Sequence, residues 1–152
     1  NLLEAKEAEG KKLAEDMINR LELINENILN ISQYSTGLID QYVVKLKDRI
    51  KEMLQTDIVD EARISQEVVL YADKTSIEEE ITRLKSHIVQ FKELLQSESI
   101  KKAGKRLDFI IQEMNREVNT IGSKSNCLEI TNLVIELKTE LEDVREQVQN
   151  IE

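Results

Sequence analysis

No proline interrupts the 152 residues of this chain, where average usage of about 5% would place several, and glycine occurs only four times. Long unbroken helices are the expected result. A single cysteine, Cys127, rules out an internal disulfide and reads as a small apolar residue at a helix start. Aromatic residues make up 3% of the chain, too few for the ring-after-ring platforms on which single-stranded bases stack, so nucleic acid would have to be gripped by its backbone. No uncharged run approaches the ~20 apolar residues that a bilayer requires, and the N-terminus lacks a basic-then-apolar signal pattern. Both observations predict a cytoplasmic protein with no membrane span. Also missing are HExxH, a paired CxxC, a glycine-rich phosphate loop and an ordered Ser/His/Asp arrangement.

What the chain does have is helical periodicity. Hydrophobic residues at 40% and charged residues at 34% suit one domain or two small helical subdomains. Leu13, Met17, Leu21, Ile24, Ile28 and Ile31 recur at spacings of three and four, and Ile39, Val43, Leu46, Ile50 and Met53 repeat the period after Ser35, Thr36 and Gly37. Read together, they predict a long antiparallel hairpin with its turn at Ser35–Gly37. Thr56 to Asp60 breaks the pattern, with Asp57 or Asp60 as the cap of a helix carrying Ile64, Val68 and Tyr71. A domain boundary is therefore drawn there, separating 1–56 from 57–152. Ser76 and Glu79 form a capping-box pattern ahead of Ile77, Ile81, Leu84, Ile88, Phe91 and Leu95. The last helix carries Ile130, Val134, Leu137, Leu141, Val144, Val148 and Ile151, a coiled-coil-like seam. With no alternating strand pattern, the expected fold is all-α: a hairpin followed by a bundle whose narrow seams favour a homo-oligomer.

The stretch GKRLDFIIQEMNREVNTIGSK, Gly104 to Lys124, is unusual. Leu107, Ile110, Ile111, Met114, Val118 and Ile121 make one apolar stripe, and Asp108, Gln112, Asn115 and Asn119 make a second stripe rich in amides. Solvated helix faces are normally written in Glu and Lys, because Asn is a poor helix former. A row of groups that both donate and accept suits either a buried network between helices or contacts to a polyanion. The net charge of −9 opposes nucleic-acid binding overall, but two basic clusters provide local exceptions. Lys45, Lys47, Arg49 and Lys51 are interleaved with Asp48 and Glu52, as on a solvated face with ion pairs. Lys101, Lys102, Lys105 and Arg106 are cleaner and lie just ahead of the amide helix, where they would serve equally as a solvated helix entry.

His87, the only histidine, shares a helix face with Glu80 and Arg83. A divalent ion, Mg²⁺ or Mn²⁺, would find an imidazole in His87, a carboxylate in Glu80 and further carboxylates in Glu113 or Glu117. The plainer reading is a histidine that hydrogen-bonds between helices. Asp60, Arg63, Glu67, Asp73 and Lys74 read as a charge network locking a short helix against the next. Arg116 with Glu113 and Lys124, beside the amide stripe, would suit a phosphate clamp.

Three blocks, DEARISQEVVLYADKTSIEEEITRLKSHIVQF at Asp60–Phe91, the Gly104–Lys124 stretch and the terminal REQVQNIE at Arg145–Glu152, resemble the YicC family of bacterial ribonucleases. EAKEAEGKKLAEDMINRL at Glu4–Leu21 matches more weakly. Family members run to nearly twice this length with a mixed α/β region ahead of the helices, so the resemblance implies a C-terminal fragment of an endoribonuclease that cleaves RNA within a ring-shaped hexamer. It also implies a metal and RNA centre at Glu80, Arg83, His87, Glu113, Asn115 and Arg116. On this reading His87, Glu80 and Glu113 are catalytic and bind metal with Glu117, while Arg83, Lys105, Asn115, Arg116, Asn119 and Lys124 contact RNA. Where relatives carry aspartate before the Ile-x-Glu-Glu run this chain has Ser76, another helix-capping residue. The residues by themselves equally allow a helical scaffold or adaptor that assembles protein partners through its seams.

Overall fold

The computed structural model describes residues 2–55 and 60–151, and among these every element is an α-helix: α1 Leu2–Leu54, α2 Glu61–Thr75, α3 Glu78–Ser97, α4 Ile100–Lys124 and α5 Leu128–Ile151. The middle of α1 joins α3, α4 and α5 in a four-helix bundle whose contacts close a ring, α1 on α3, α3 on α4, α4 on α5 and α5 back on α1. Ion pairs give the directions. Arg83 meets Glu117, Asp108 meets Arg145, and Arg20 meets Glu140 and Asp143, so these three neighbouring pairs all run antiparallel.

The core stripes of 13–31, α3, α4 and α5 are those the periodicity predicts, but the stripe Ile39, Val43, Leu46, Ile50 and Met53 stays outside the core, with Ile39 and Met53 exposed, because the bundle packs only on the N-terminal part of α1. Met17, Leu21, Ile24, Ile28 and Ile31 of α1 are buried in one cluster with Ile81, Leu84, Ile88, Phe91 and Leu95 of α3. Leu107, Ile111, Met114, Val118 and Ile121 of α4 and Ile130, Val134, Leu137, Leu141, Val144 and Val148 of α5 complete it. Apolar residues from both sides of the 56/57 boundary therefore share a single core. The seams of 17–31, α3 and α5 are consumed inside the chain, so those faces give no ground for assembly. The Ile151 side chain lies outside the described residues.

The hairpin exists, but its turn is not at Ser35–Gly37. Helix α1 runs unbroken through that triplet, about 80 Å from end to end. It stops where Gln55 takes up left-handed backbone (φ 51°) with its N–H on the Lys51 carbonyl. The return limb is α2: Lys47 pairs with Glu61 at 3.6 Å, and the Tyr42 and Tyr71 rings stack with centroids 3.8 Å apart, an antiparallel register. Ser and Gly weaken a helix without breaking it, and the Thr36 hydroxyl bonds back to the Gln33 carbonyl at 2.8 Å within the helix. Ser32, Ser35 and Thr36 line a cavity of about 630 Å³ with Ala72, Thr75 and Ile77, where the α2–α3 junction comes up against α1.

Two caps differ in outcome. Asp60 caps α2 as expected, accepting from the N–H groups of Ala62 and Arg63, and Asp57 lies outside the described residues. Ser76 does not cap α3. Its N–H closes α2 on Ala72, and Ile77, buried in the core, takes the cap position of α3 with no side-chain bond. Glu78, Glu79 and Glu80 in the first turn offset the missing cap through the helix dipole. The expected lock around α2 is also absent among the described residues: Arg63, Glu67, Asp73 and Lys74 are exposed and join no ion pair.

Because nothing lies within 4 Å of a Cβ built on Gly37, Gly37→Ala is predicted to stabilise the protein by about 0.5–1 kcal/mol in thermal or urea unfolding. A turn at that position would make the same change destabilising.

Candidate nucleic-acid interface

Helix α4 presents three faces. Its apolar stripe is buried. Of the rest, one flank meets α3, the other meets α5, and the strip between them faces solvent. Every fully exposed residue of α4 lies on or beside that strip: Lys101, Lys102, Lys105, Arg106, Phe109, Gln112, Arg116, Asn119 and Ser123. None is acidic, in a chain with 30 carboxylates and a net charge of −9. The acids of α4 are on the flanks. Asp108 accepts from Arg145 of α5 at 3.3 Å and from Gln112 at 3.1 Å, Glu117 is buried against Arg83, and half-buried Glu113 lies 3.8 Å from Arg116. Lys101, Lys102 and Lys105 pair with no acid among the described residues.

The amide stripe is therefore open. Gln112 and Asn119 are exposed and Asn115 is half-buried, so the chain contains no buried amide network here. Gln112, Asn115, Arg116, Asn119, Thr120 and Ser123 line a shallow groove of about 560 Å³ along the solvent side.

The flank facing α3 is a polar seam. Glu80, only 2% exposed, receives the Lys124 ammonium at 2.8 Å and lies 3.8 Å from Arg83, and Lys124 also donates to the Ser76 carbonyl at 3.2 Å. Arg83 donates from Nε to Glu117 at 2.9 Å and reaches Glu79 at 3.6 Å. Burial opposes the Glu80 charge, but the Lys124 hydrogen bond and the nearby Lys124 and Arg83 charges outweigh it and hold the carboxyl below its usual range. The bond to Glu117, against a smaller desolvation cost, keeps the Arg83 guanidinium more firmly charged.

One turn beyond the Arg83–Glu117 pair, the antiparallel register sets His87 of α3 opposite Glu113 of α4. The Nδ1 atom of His87 and Oε2 of Glu80 are both buried without a hydrogen-bond partner. The expected metal ligands do not converge as a set: among the described residues no group of three or more His, Cys, Asp or Glu side chains stands close enough to hold an ion. Glu80 and Glu117 are engaged instead by cations, Glu80 by Lys124 and Glu117 by Arg83. Those two cations, expected to touch RNA, are likewise held within the seam. Lys105, Arg116, Asn119 and the exposed side of Asn115 are placed as expected. Phe109, 61% exposed on the basic strip, is a residue of the face that periodicity alone passed over. Its signal was an apolar side chain out of phase with the stripe.

The chain is thus an all-α helical bundle in which the exposed face of α4 carries basic and amide side chains and no acid. Residues 31–152 match the family described as "Endoribonuclease YicC-like, C-terminal", and the chain belongs to that family. It is 54% identical over 153 residues, covering 99% of the chain, to a protein of Clostridioides difficile named "Probable endoribonuclease YicC". It is 33% identical over 144 residues, covering 95% of the chain, to the protein of the same name in Haemophilus influenzae. The chain spans about half the length of these relatives, 51% and 49% respectively. No described helix is long and apolar enough to cross a membrane.

The seam has a pH signature. A carboxylate whose pKa is lowered by folding adds stability above its unfolded pKa and loses it as pH falls through the folded value. Glu80→Gln is predicted to destabilise the protein by about 1.5–3 kcal/mol at pH 7, with the gap from the parent closing below the usual carboxylate range. Thermal melts of both proteins across acid pH check this.

Proposed function

We propose that this chain is the RNA-holding helical part of an endoribonuclease, with the solvent strip of α4 as its RNA surface. The single observation behind this reading is the absence of any exposed acid on α4 in a strongly acidic protein. Phosphates gain affinity from Lys and Arg through counterion release, and amides add donors and acceptors for sugar and base edges. Lys105, Arg116 and Asn119 are the contact residues, helped by Lys101, Lys102 and the open side of Asn115. The names of the Clostridioides and Haemophilus relatives support the reaction class, hydrolysis of RNA phosphodiester bonds.

The remaining seam residues hold the strip in place: Arg83, Glu117, Glu80 and Lys124 fix α4 against α3. His87 and Glu113, opposite each other where the seam meets the strip, are the groups of this chain best placed to exchange a proton with a bound phosphodiester. The divalent ion that the family resemblance implies, Mg²⁺ or Mn²⁺, is a separate part of the proposal. Among the described residues no three ligands of one chain stand together, so beside this facing pair water or a second copy would supply the other ligands, and no step of cleavage is assigned to it. A homo-oligomeric ring, hexameric in the family pattern, and a cytoplasmic location complete the proposal. Exposed Val44, Met53, Leu54, Val69 and Leu70 on the α1–α2 hairpin give such an assembly an apolar surface that the bundle does not use.

Arg116→Ala is predicted to weaken RNA binding and to lower the slope of log affinity against log salt by about 1, with an unchanged melting temperature. Asn119→Ala, on an exposed side chain, is predicted to leave stability intact. Incubation of a structured RNA with the protein, with and without chelator, tests reaction class and metal dependence together. RNA left intact under both conditions and bound equally by parent and Arg116→Ala would favour the scaffold reading.

A further inference from the structure

Phe109 is a costly residue to leave in water, and its neighbours say what would cover it. It stands on the basic strip one turn from Lys105 and Arg106, above a groove of about 570 Å³ between α3 and α4. Leu94 and Ile110 contribute apolar lining, and Gln90 and Glu93 of α3 supply an amide and a carboxylate along the opposite wall. Arg106 is tied to Glu98 at 3.4 Å, while Lys105 beside the ring pairs with no acid among the described residues. An open aromatic face beside a free cation, with hydrogen-bonding groups across a narrow groove, matches the chemistry of a nucleotide: a base to stack, a phosphate to pair and base edges to read.

We propose that Phe109 is a base-stacking position for one unpaired nucleotide of RNA, with Lys105 on the adjoining phosphate and Gln90 and Glu93 facing the base edge. The inference rests on the reading of the α4 strip as the RNA surface and adds the substrate class, single-stranded or looped rather than duplex RNA. In an A-form duplex the bases are stacked on each other and the deep groove is closed to side chains, so a ring fixed on a rigid helix gains nothing from paired RNA. The groove lies one turn from the His87–Glu113 pair, since Gln90 follows His87 by three residues and Phe109 precedes Glu113 by four. A nucleotide stacked on Phe109 thus anchors the strand immediately beside that pair.

The test is fluorescence polarisation with a labelled single-stranded oligoribonucleotide and a duplex of the same sequence, using the parent, Phe109→Leu, Phe109→Trp and Lys101→Glu/Arg116→Glu. Phe109 is exposed, so its variants are expected to melt like the parent. Phe109→Leu keeps apolar bulk without a ring and should lose about tenfold in affinity for the single strand, while Phe109→Trp retains it and duplex binding does not change. The charge-reversed variant should lose both ligands. If Phe109→Leu binds the single strand like the parent while charge reversal abolishes binding, stacking is overturned and the RNA surface stands. If charge reversal has no effect either, or the parent binds no RNA, both proposals fall. Loss of self-association in Phe109→Leu with unchanged RNA affinity would assign the ring to a protein interface and overturn the inference.

Discussion

Two carboxylates inside a helical bundle need cations delivered from the neighbouring helix, and that requirement fixes how α3 lies against α4. Glu80 and Glu117, both almost fully buried, are met across the seam by Lys124 and Arg83, and the Lys124 bond helps to hold the Glu80 carboxyl below its usual range. An unpaired carboxylate in their place would be strongly destabilising, so sliding or rotating one helix against the other is penalised from two points at once. With α4 locked on that flank and tied to α5 by Asp108 and Arg145 on the other, only one direction remains for the strip between them. The acid-free face is held outward by the pairs that absorb the acids of α4.

The same seam explains why the site was only partly legible in the sequence. Core stripes are readable because burial acts on one face of a 3.6-residue period, and every described member of the α3, α4 and α5 stripes is buried. The open or closed state of the amides was not readable, since it depends on which neighbour packs where. Glu80, Arg83, Glu117 and Lys124 carry no mark that distinguishes an ion pair from a metal ligand or an RNA contact. Their partners are set by the antiparallel register of two helices, a tertiary fact. Local motifs misled where tertiary anchors competed with them. At Ser76 the capping-box pattern yielded to the burial of Ile77, and at Ser35–Gly37 residues that fit a turn are carried within one unbroken helix.

The division of surfaces also bears on assembly. Heptad spacing on α3, on α5 and on α1 as far as Ile31 is spent on the internal core, as in many antiparallel four-helix bundles, so those seams carry no information about copy number. What remains outside the core is unequal: a hairpin limb with exposed aliphatic residues, an acidic remainder and the single basic strip of α4. A ring built through the hairpin limbs would leave the strip free for RNA. One built over the strip would not.

The central claim, that RNA lies along the solvent face of α4, is tested most directly by NMR of the side-chain amide groups during titration with a single-stranded oligoribonucleotide. The account predicts that the NH₂ resonances of Gln112, Asn115 and Asn119 and the Nε–H of Arg116 shift together and saturate, while exposed Asn132 and Asn150 on α5 do not move. Shifts confined to α5 or to the hairpin limb, with the α4 amides unchanged, would contradict it.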